Sequence, residues 1–174
     1  MTDYTSIELY CYNEKVLAKF LYVVVGRFPD DAKTLLAHIG PALQDLFLFR
    51  VATKKLDLKL TEVPFEKSCS IASSRFAFDF ENYVNRSLNK NAKMKEKPLL
   101  LSEVRSLRRR LSDEPRLQIH GHDFTKLLSW YIKQRTGRRY QYDQEFFSRS
   151  LCGCLEPGQL VEMRLFVELL KRFA

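Results

Sequence analysis

Apolar residues recur at helical spacing near the N-terminus. Five of them follow one another at intervals of three, four or seven: Ile7, Tyr10, Leu17, Leu21 and Val24. Thr5 and Glu8 have the spacing of a capping box, so the pattern favours a helix over 5–25. Two strands are the alternative, because IELYCY alternates and FLYVVV is rich in β-forming residues.

A second helical stretch begins after Pro29, with two acids at its start, and runs to Val51. The Gly40-Pro41 pair lies inside it, and proline removes a helical hydrogen bond, so we expect the helix to be broken or kinked there. Within the stretch KLDLKLTEV, residues 55–63, the first seven residues then alternate strictly between polar and apolar. This alternation predicts a strand or an extended segment.

The second half of the chain predicts further helices. An aromatic face marks one helix between Phe76 and Leu88, and four more are predicted at 98–111, 123–136, 143–153 and 158–173. Asp123 and Asp143 are the expected caps, and Gly137 is an expected stop. The fold class is therefore mainly α, a helical bundle of about six to seven helices with one short extended or β element near 55–63.

Length and composition favour one domain over residues 1–174. A chain of 174 residues that is 45% hydrophobic can bury one core and is short for two large domains. If it divides, the polar stretch NKNAKMKEK separates a near-neutral half, 1–89, from a basic helical half, 98–174.

The chain carries no clear membrane or export signal. Its most apolar runs, 16–25 and 43–51, fall short of the roughly 20 residues that a membrane span needs. The N-terminus lacks the basic segment and apolar stretch of a secretory signal. We expect an intracellular protein, cytoplasmic or nuclear and not secreted, with no membrane partner and with reduced thiols at its four cysteines.

Positive charge is concentrated in the middle of the chain. Formal net charge is +8, but residues 86–139 hold fifteen Lys/Arg against five Asp/Glu, while each flank carries −1. Such clustering attracts polyanions. The alternative is a solvated lysine-rich loop with ordinary helix surface around it.

The helix predicted at 98–111 presents arginine on its free face. Leu100, Val104, Leu107 and Leu111 form its buried stripe. Four arginines point away from that stripe: Arg105, Arg108, Arg109 and Arg110. Because guanidinium forks match phosphate oxygens in geometry, this face suits a phosphate backbone.

The helix predicted at 123–136 repeats the arrangement with lysines. Lys126 and Lys133 lie opposite its apolar stripe, with Trp130 between them. We expect the Trp130 ring to cover the edge of the core, because tryptophan is highly buried on average, and stacking on a base is the alternative. After Gly137, two cations emerge beside two tyrosines: Arg138, Arg139, Tyr140 and Tyr142. Arginine with aromatic stacking is typical of single-strand binding, although a tyrosine here could instead pack against the next helix.

Metal and catalytic sites are weakly indicated. His120, His122, Cys152 and Cys154 could supply two nitrogen and two sulfur ligands to zinc, but each pair is separated by one residue instead of the usual two to four. We therefore expect no metal and no cofactor, with zinc at this quartet as the alternative. The chain has no phosphate-loop, dinucleotide or hydrolase motif, which favours a protein that is not an enzyme.

These patterns together predict a small nucleic-acid-binding protein. RNA or single strands are favoured over duplex DNA, and the protein could act as a subunit of a ribonucleoprotein or as a homo-oligomer. The alternative is an assembly module whose basic face docks on an acidic protein partner, supported by the apolar C-terminal stretch QLVEMRLFVELLKRF.

Overall fold

Helices form most of the backbone. The computed structural model describes residues 6–72, 75–137, 144–161 and 163–173. The α-helices are α1 Glu14–Phe20, α2 Ala32–Lys55, α3 Phe80–Lys90, α4 Lys97–Arg108, α5 Gly121–Thr136, α6 Gln144–Cys152, α7 Pro157–Leu160 and α8 Arg164–Phe173. One antiparallel hairpin, β1 Cys69–Ala72 and β2 Arg75–Phe78, completes the regular structure of the described residues. The predicted mainly helical class with a short β element is confirmed.

The N-terminal stretch is helical, as the spacing favours, but in three pieces. A 3₁₀ helix, Ile7–Cys11, precedes α1, and a π-helical turn, Leu21–Val25, follows it. Asn13 starts α1, because its side chain accepts hydrogen bonds from the backbone N–H groups of Lys15 and Val16. The predicted cap at Thr5 lies outside the described residues.

Helix α2 runs without a break through Pro41, so the predicted break is wrong, whereas the alternative of a kink stays a prediction. Proline deprives the carbonyl of residue 37 of its helical partner. Buried leucines on the C-terminal side and Leu35 and Ile39 on the N-terminal side hold both halves in the core. Their burial outweighs the loss of one hydrogen bond, which is worth about 1 kcal/mol.

Helix α2 is also long and apolar enough to cross a membrane, judged by length and composition alone. Half of its most apolar 18-residue stretch is buried inside the protein, as in many core helices. This finding adds no argument for or against a membrane partner.

The strand pattern at 55–63 corresponds to an extended segment outside any sheet. Residues 58–64 form neither helix nor strand, and the hairpin lies further along, where it includes the first residues of the helix predicted from Phe76. Side chains at the end of α3 bind the backbone of the segment instead. Asn91 Oδ1 accepts from the N–H of Thr61 at 2.8 Å, and Asn91 Nδ2 donates to the carbonyl of Thr61 at 3.2 Å. Lys93 donates to the carbonyl of Leu58, and Lys90 to that of Glu62.

The C-terminal region predicted as one helix over 158–173 is two, which partly explains why the described residues form eight α-helices instead of six or seven. Pro157 opens α7, and Glu156 with Gln159 forms a capping box. Helix α8 begins only at Arg164.

The chain divides into two compact units. The terminal unit combines residues 1–36 with 120–174, and the central unit is residues 37–119. The division falls inside α2 and before α5, whereas the stretch at 90–97 proposed as a break lies within the central unit. The domain prediction itself stays a prediction.

Each unit has its own aromatic core contacts. In the terminal unit the rings of Phe20 and Phe147 meet edge to face with centroids 5.0 Å apart. In the central unit Phe49 and Tyr83 meet in the same way, also at 5.0 Å. Such pairs add about 0.5–1.5 kcal/mol to the burial of the rings.

Candidate nucleic-acid interface

Helix α4 places the four predicted arginines on the surface of the central unit. Proline near its start suits a helical N-terminus, and Leu100 and Val104 are buried. Leu107 and Leu111 are only partly buried, because the helix ends at Arg108. The four exposed residues that we call the arginine cluster are Arg105, Arg108, Arg109 and Arg110.

Local geometry groups these guanidinium groups. Arg105, Arg108 and Arg109 stand at positions i, i+3 and i+4, which share one helix face. Arg109 keeps helical dihedral angles, and the N–H of Arg110 donates to the carbonyl of Leu107 at 2.9 Å. The helical course therefore extends past the last residue of α4 and keeps the cluster together.

One member of the cluster has a carboxylate partner. Arg108 donates to Asp45, a largely buried side chain on α2. Burial raises the pKa of Asp45 above its ordinary value, and the charge and hydrogen bond of Arg108 oppose that rise. The other three arginines, Arg105, Arg109 and Arg110, have no ion-pair partner in the part of the chain that the structure describes.

The central unit carries most of the net charge. It holds sixteen Lys/Arg and ten Asp/Glu, so +6 of the formal +8 lies there. Six of its acids already bind a lysine or arginine: Asp45, Asp57, Glu62, Glu81, Glu103 and Glu114. Few carboxylates remain to neutralise the arginine cluster.

Two arginines from the charged middle of the chain, outside the arginine cluster, are held by acids. Arg116 makes a bidentate contact with Glu114, at 2.8 and 3.0 Å, and this contact lowers the pKa of Glu114. Arg135 binds Asp30 in the same bidentate way, with both distances 2.9 Å, and Tyr131 donates to Asp30 at 2.8 Å. Both guanidinium groups are therefore already paired with a carboxylate.

The predicted lysines lie on α5, in the terminal unit. Its apolar stripe is buried as expected at Phe124, Leu128, Tyr131 and Ile132. Lys133 is exposed, whereas Lys126 and Trp130 are partly buried. The structure therefore places these lysines on a different compact unit from the arginine cluster.

Gly137 ends the helical course after α5 in the left-handed conformation, with φ 66° and ψ 48°, as predicted. The start differs, because His120 occupies the N-cap position and Asp123 is a buried residue of the first turn. Four predicted site residues fall outside the described residues: Arg138, Arg139, Tyr140 and Tyr142.

The zinc alternative gains no support from the geometry. Over the described ranges, which include His120, His122, Cys152 and Cys154, three or more His, Cys, Asp or Glu side chains nowhere gather to hold a metal. Both histidines are exposed, and all four cysteines are free. Cys152 instead contacts Cys11, with sulfur atoms 3.7 Å apart.

Two cavities open in the central unit. One of about 460 Å³ is lined by Leu58, Ala92, Lys93, Met94, Lys95 and Glu96. A smaller one of about 160 Å³ is lined by Phe49, Arg50, Thr53, Leu60, Thr61, Glu62, Tyr83 and Ser87. Neither lining includes a cysteine or a histidine.

Sequence reasoning missed the contacts that join distant parts of the chain. Asp30 lies 105 residues from Arg135, and Cys11 lies 141 residues from Cys152. Local spacing carries no signal for such pairs.

Compared with known proteins, the chain matches no protein-family model, no curated protein and no solved structure.

Proposed function

We propose that this protein binds nucleic acid through the arginine cluster, by contacts to phosphates and not to base edges. RNA or single-stranded nucleic acid is the favoured ligand, and a ribonucleoprotein is one setting in which such a protein could act. The carrying observation is the group of three exposed arginines, Arg105, Arg109 and Arg110, that have no ion-pair partner among the described residues of a unit with net charge +6.

Helix stability alone accounts for only part of this cluster. Cations in the last turn of a helix stabilise it by about 0.3–1 kcal/mol, and the effect falls off beyond that turn. Arg105 and Arg108 stand in the last turn of α4, whereas Arg109 and Arg110 follow it. Like charges that lie close together also repel one another, so a polyanion that binds the cluster reduces this electrostatic repulsion.

Support for single strands comes from α5 in the terminal unit, where one aromatic residue accompanies two lysines. Trp130 remains partly exposed on α5, four residues after Lys126 and three before Lys133. A base can stack on such a ring while lysine contacts the adjacent phosphate, and stacking contributes about 1–3 kcal/mol per base.

The proposal is tested by fluorescence anisotropy with matched oligonucleotides: single-stranded RNA, single-stranded DNA and duplex DNA of one length. The variant reverses three charges, Arg105→Glu, Arg109→Glu and Arg110→Glu, and spares Arg108 because it binds Asp45. We expect affinity for single-stranded RNA to fall at least tenfold. The slope of log affinity against log salt should lose about 2, since each phosphate contact contributes about 0.7.

A control variant makes the same change in net charge elsewhere, with Lys15→Glu, Lys33→Glu and Lys67→Glu. All three lysines are exposed, and none belongs to the predicted interface. The control should keep most of the affinity. Equal losses in both variants would mean that net charge alone governs binding, and salt-insensitive binding or none would reject the proposal.

An assembly module that docks on an acidic protein is the second candidate. Its support is α8, where three consecutive apolar residues, Leu165, Phe166 and Val167, are all only partly buried. Consecutive residues of a helix point in different directions, so apolar surface is accessible on more than one side of α8. Light scattering at several concentrations, before and after nuclease treatment, separates the two candidates. An oligomer that survives nuclease favours assembly, and one that dissociates favours nucleic-acid binding.

A further inference from the structure

Two thiols from opposite ends of the chain meet in the terminal unit. Cys11 ends the 3₁₀ helix Ile7–Cys11, and Cys152 is the last residue of α6. Their sulfur atoms are 3.7 Å apart, and the Cys11 thiol donates towards the Cys152 sulfur. Cys11 is fully buried, whereas Cys152 is partly exposed.

We propose that Cys11 and Cys152 are a redox-active pair that closes into an intramolecular disulfide when the protein meets a hydroperoxide. The closed form ties the N-terminal 3₁₀ helix to the end of α6.

The geometry leaves little distance to cover. A disulfide holds its sulfur atoms about 2.0 Å apart, so the pair must approach by about 1.7 Å. Cys152 is the final residue of its helix, and the turn at Gly153 and Cys154 follows directly. A backbone shift at a helix end disturbs fewer helical hydrogen bonds than one in a helix interior.

The two thiols differ in pKa, and a reaction with peroxide needs one thiol that ionises more readily than the other. The hydrogen bond from Cys11 lowers the pKa of Cys152, although burial and the Glu8 carboxylate oppose this. The same bond and burial raise the pKa of Cys11, with smaller contributions from Glu8 and Cys154. Cys152 is therefore the attacking thiolate and Cys11 the resolving thiol.

The reaction balances with one hydroperoxide as the oxidant. The Cys152 thiolate attacks the terminal peroxide oxygen, the O–O bond breaks, and a sulfenic acid forms. The departing alkoxide, or hydroxide from hydrogen peroxide, takes up from solvent the proton that the Cys152 thiol released on ionising, and it leaves as an alcohol or as water. The Cys11 sulfur then attacks the sulfenic sulfur. The S–S bond forms, the S–O bond breaks, and the hydroxyl departs as water with the Cys11 proton. Two thiols lose two electrons and the peroxide gains them.

The other two cysteines serve as internal controls. Cys69 lies in the central unit, where its thiol contacts the carbonyl of Phe65 at 3.5 Å and burial raises its pKa to about 12. Cys154 is buried, and burial raises its pKa as well. Neither should react before Cys152.

The test treats the purified, reduced full chain with stoichiometric hydrogen peroxide, blocks free thiols by alkylation and digests with trypsin. The expected product is peptide 1–15 joined to peptide 150–164, with fragmentation placing the bond at Cys152 and not Cys154. Dithiothreitol should release both peptides. The bond closes a loop between residues that are 141 positions apart, which lowers the conformational entropy of the unfolded chain. Tm should therefore rise by about 10 °C on oxidation.

Variants make the result decisive. Cys154→Ser and Cys69→Ser should still form the linked peptide, and Cys11→Ser should instead leave a sulfenic acid at Cys152. A bond between Cys152 and Cys154, a disulfide between two molecules, or oxidation without any disulfide in the unaltered protein would overturn the proposal. The unaltered chain suffices for this judgement if a variant fails to fold.

Discussion

The protein stabilises a largely buried ion pair with hydrogen bonds that involve Asp30, Tyr131 and Arg135. The side chains of Asp30 and Arg135 are only 10% and 14% exposed, so both have lost most of their hydration. Two guanidinium hydrogen bonds and one phenol hydrogen bond replace the lost water around Asp30. Removing one partner of such a pair leaves the other charge buried alone, which costs more than the pair contributes.

We therefore predict that Arg135→Met lowers the free energy of unfolding by about 3 kcal/mol, because Asp30 is left without its counter-charge. Arg149→Met is the control, since Arg149 and Glu145 form an exposed pair with side chains 78% and 71% accessible. That change should cost less than about 0.5 kcal/mol. Urea unfolding measures both, and equal costs would contradict the structural role of Arg135.

A second residue-scale prediction concerns proton binding at Asp45. Burial raises the pKa of Asp45 and Arg108 counteracts the rise. The folded protein thus holds this proton more tightly than the unfolded chain does. The contribution to stability is greatest below the unfolded pKa and declines as pH rises through the folded pKa.

Replacing Arg108 by Gln should raise the pKa of Asp45 further, because the opposing charge is gone. A pH titration of the Asp45 carboxyl by NMR measures the change, and Arg105→Gln is the control that should leave this pKa where it is. An unchanged pKa in the Arg108 variant would show that the two groups do not interact in solution.

At the scale of elements, the segment after α2 shows how an alternating pattern can produce extended backbone without a sheet. The terminal atoms of Asn91 make the two bonds to Thr61 that a neighbouring strand would otherwise make. Its amide nitrogen also donates to the carbonyl of Ser87 at 2.7 Å, which ties the segment to α3. Side chains thus satisfy backbone groups that a second strand would have paired.

We predict that Asn91→Ala lowers the free energy of unfolding by about 2 kcal/mol, since three backbone groups lose their partner. Amide hydrogen exchange should also speed up at Thr61, whose N–H donates to Asn91. Asn89→Ala is the control: Asn89 is exposed on the same helix, and its loss should cost less than about 0.5 kcal/mol. Unchanged exchange at Thr61 would contradict the proposed tie.

For the whole molecule, the division into two units and the distribution of charge matter most. A net charge of +8, most of it in the central unit, makes the folded chain repel itself. Salt screens such repulsion at distances beyond about 10 Å at 0.1 M ionic strength.

Raising sodium chloride from about 10 mM to about 150 mM should therefore raise Tm by a few degrees in the absence of any ligand. The rise should be smaller when Arg105, Arg109 and Arg110 are replaced by glutamine, because those unpaired arginines contribute much of the repulsion. Thermal scans measure both proteins. A Tm that falls with salt would mean that attractive ion pairs outweigh repulsion in the folded state.

Much of the fold was predictable because it depends on neighbours along the chain. Helical periodicity located α3, α4, α5 and α6 to within a few residues, and the left-handed glycine at 137 ended its helix as expected. The exposure of the four arginines on α4 followed from the same periodicity. Pro41 misled the prediction, because tertiary burial kept α2 whole around it.

By itself the sequence determined the helical class, the faces of the helices and the concentration of positive charge, since each depends on residues close together in the chain. Only the tertiary structure decided which charges are neutralised, where Asn91 replaces a strand, and that Cys11 meets Cys152. The contacts of Asn91 with Thr61, of Arg135 with Asp30 and of Cys11 with Cys152 join residues that are 30 to 141 positions apart. Packing brings them together, and packing depends on the whole core instead of any local pattern.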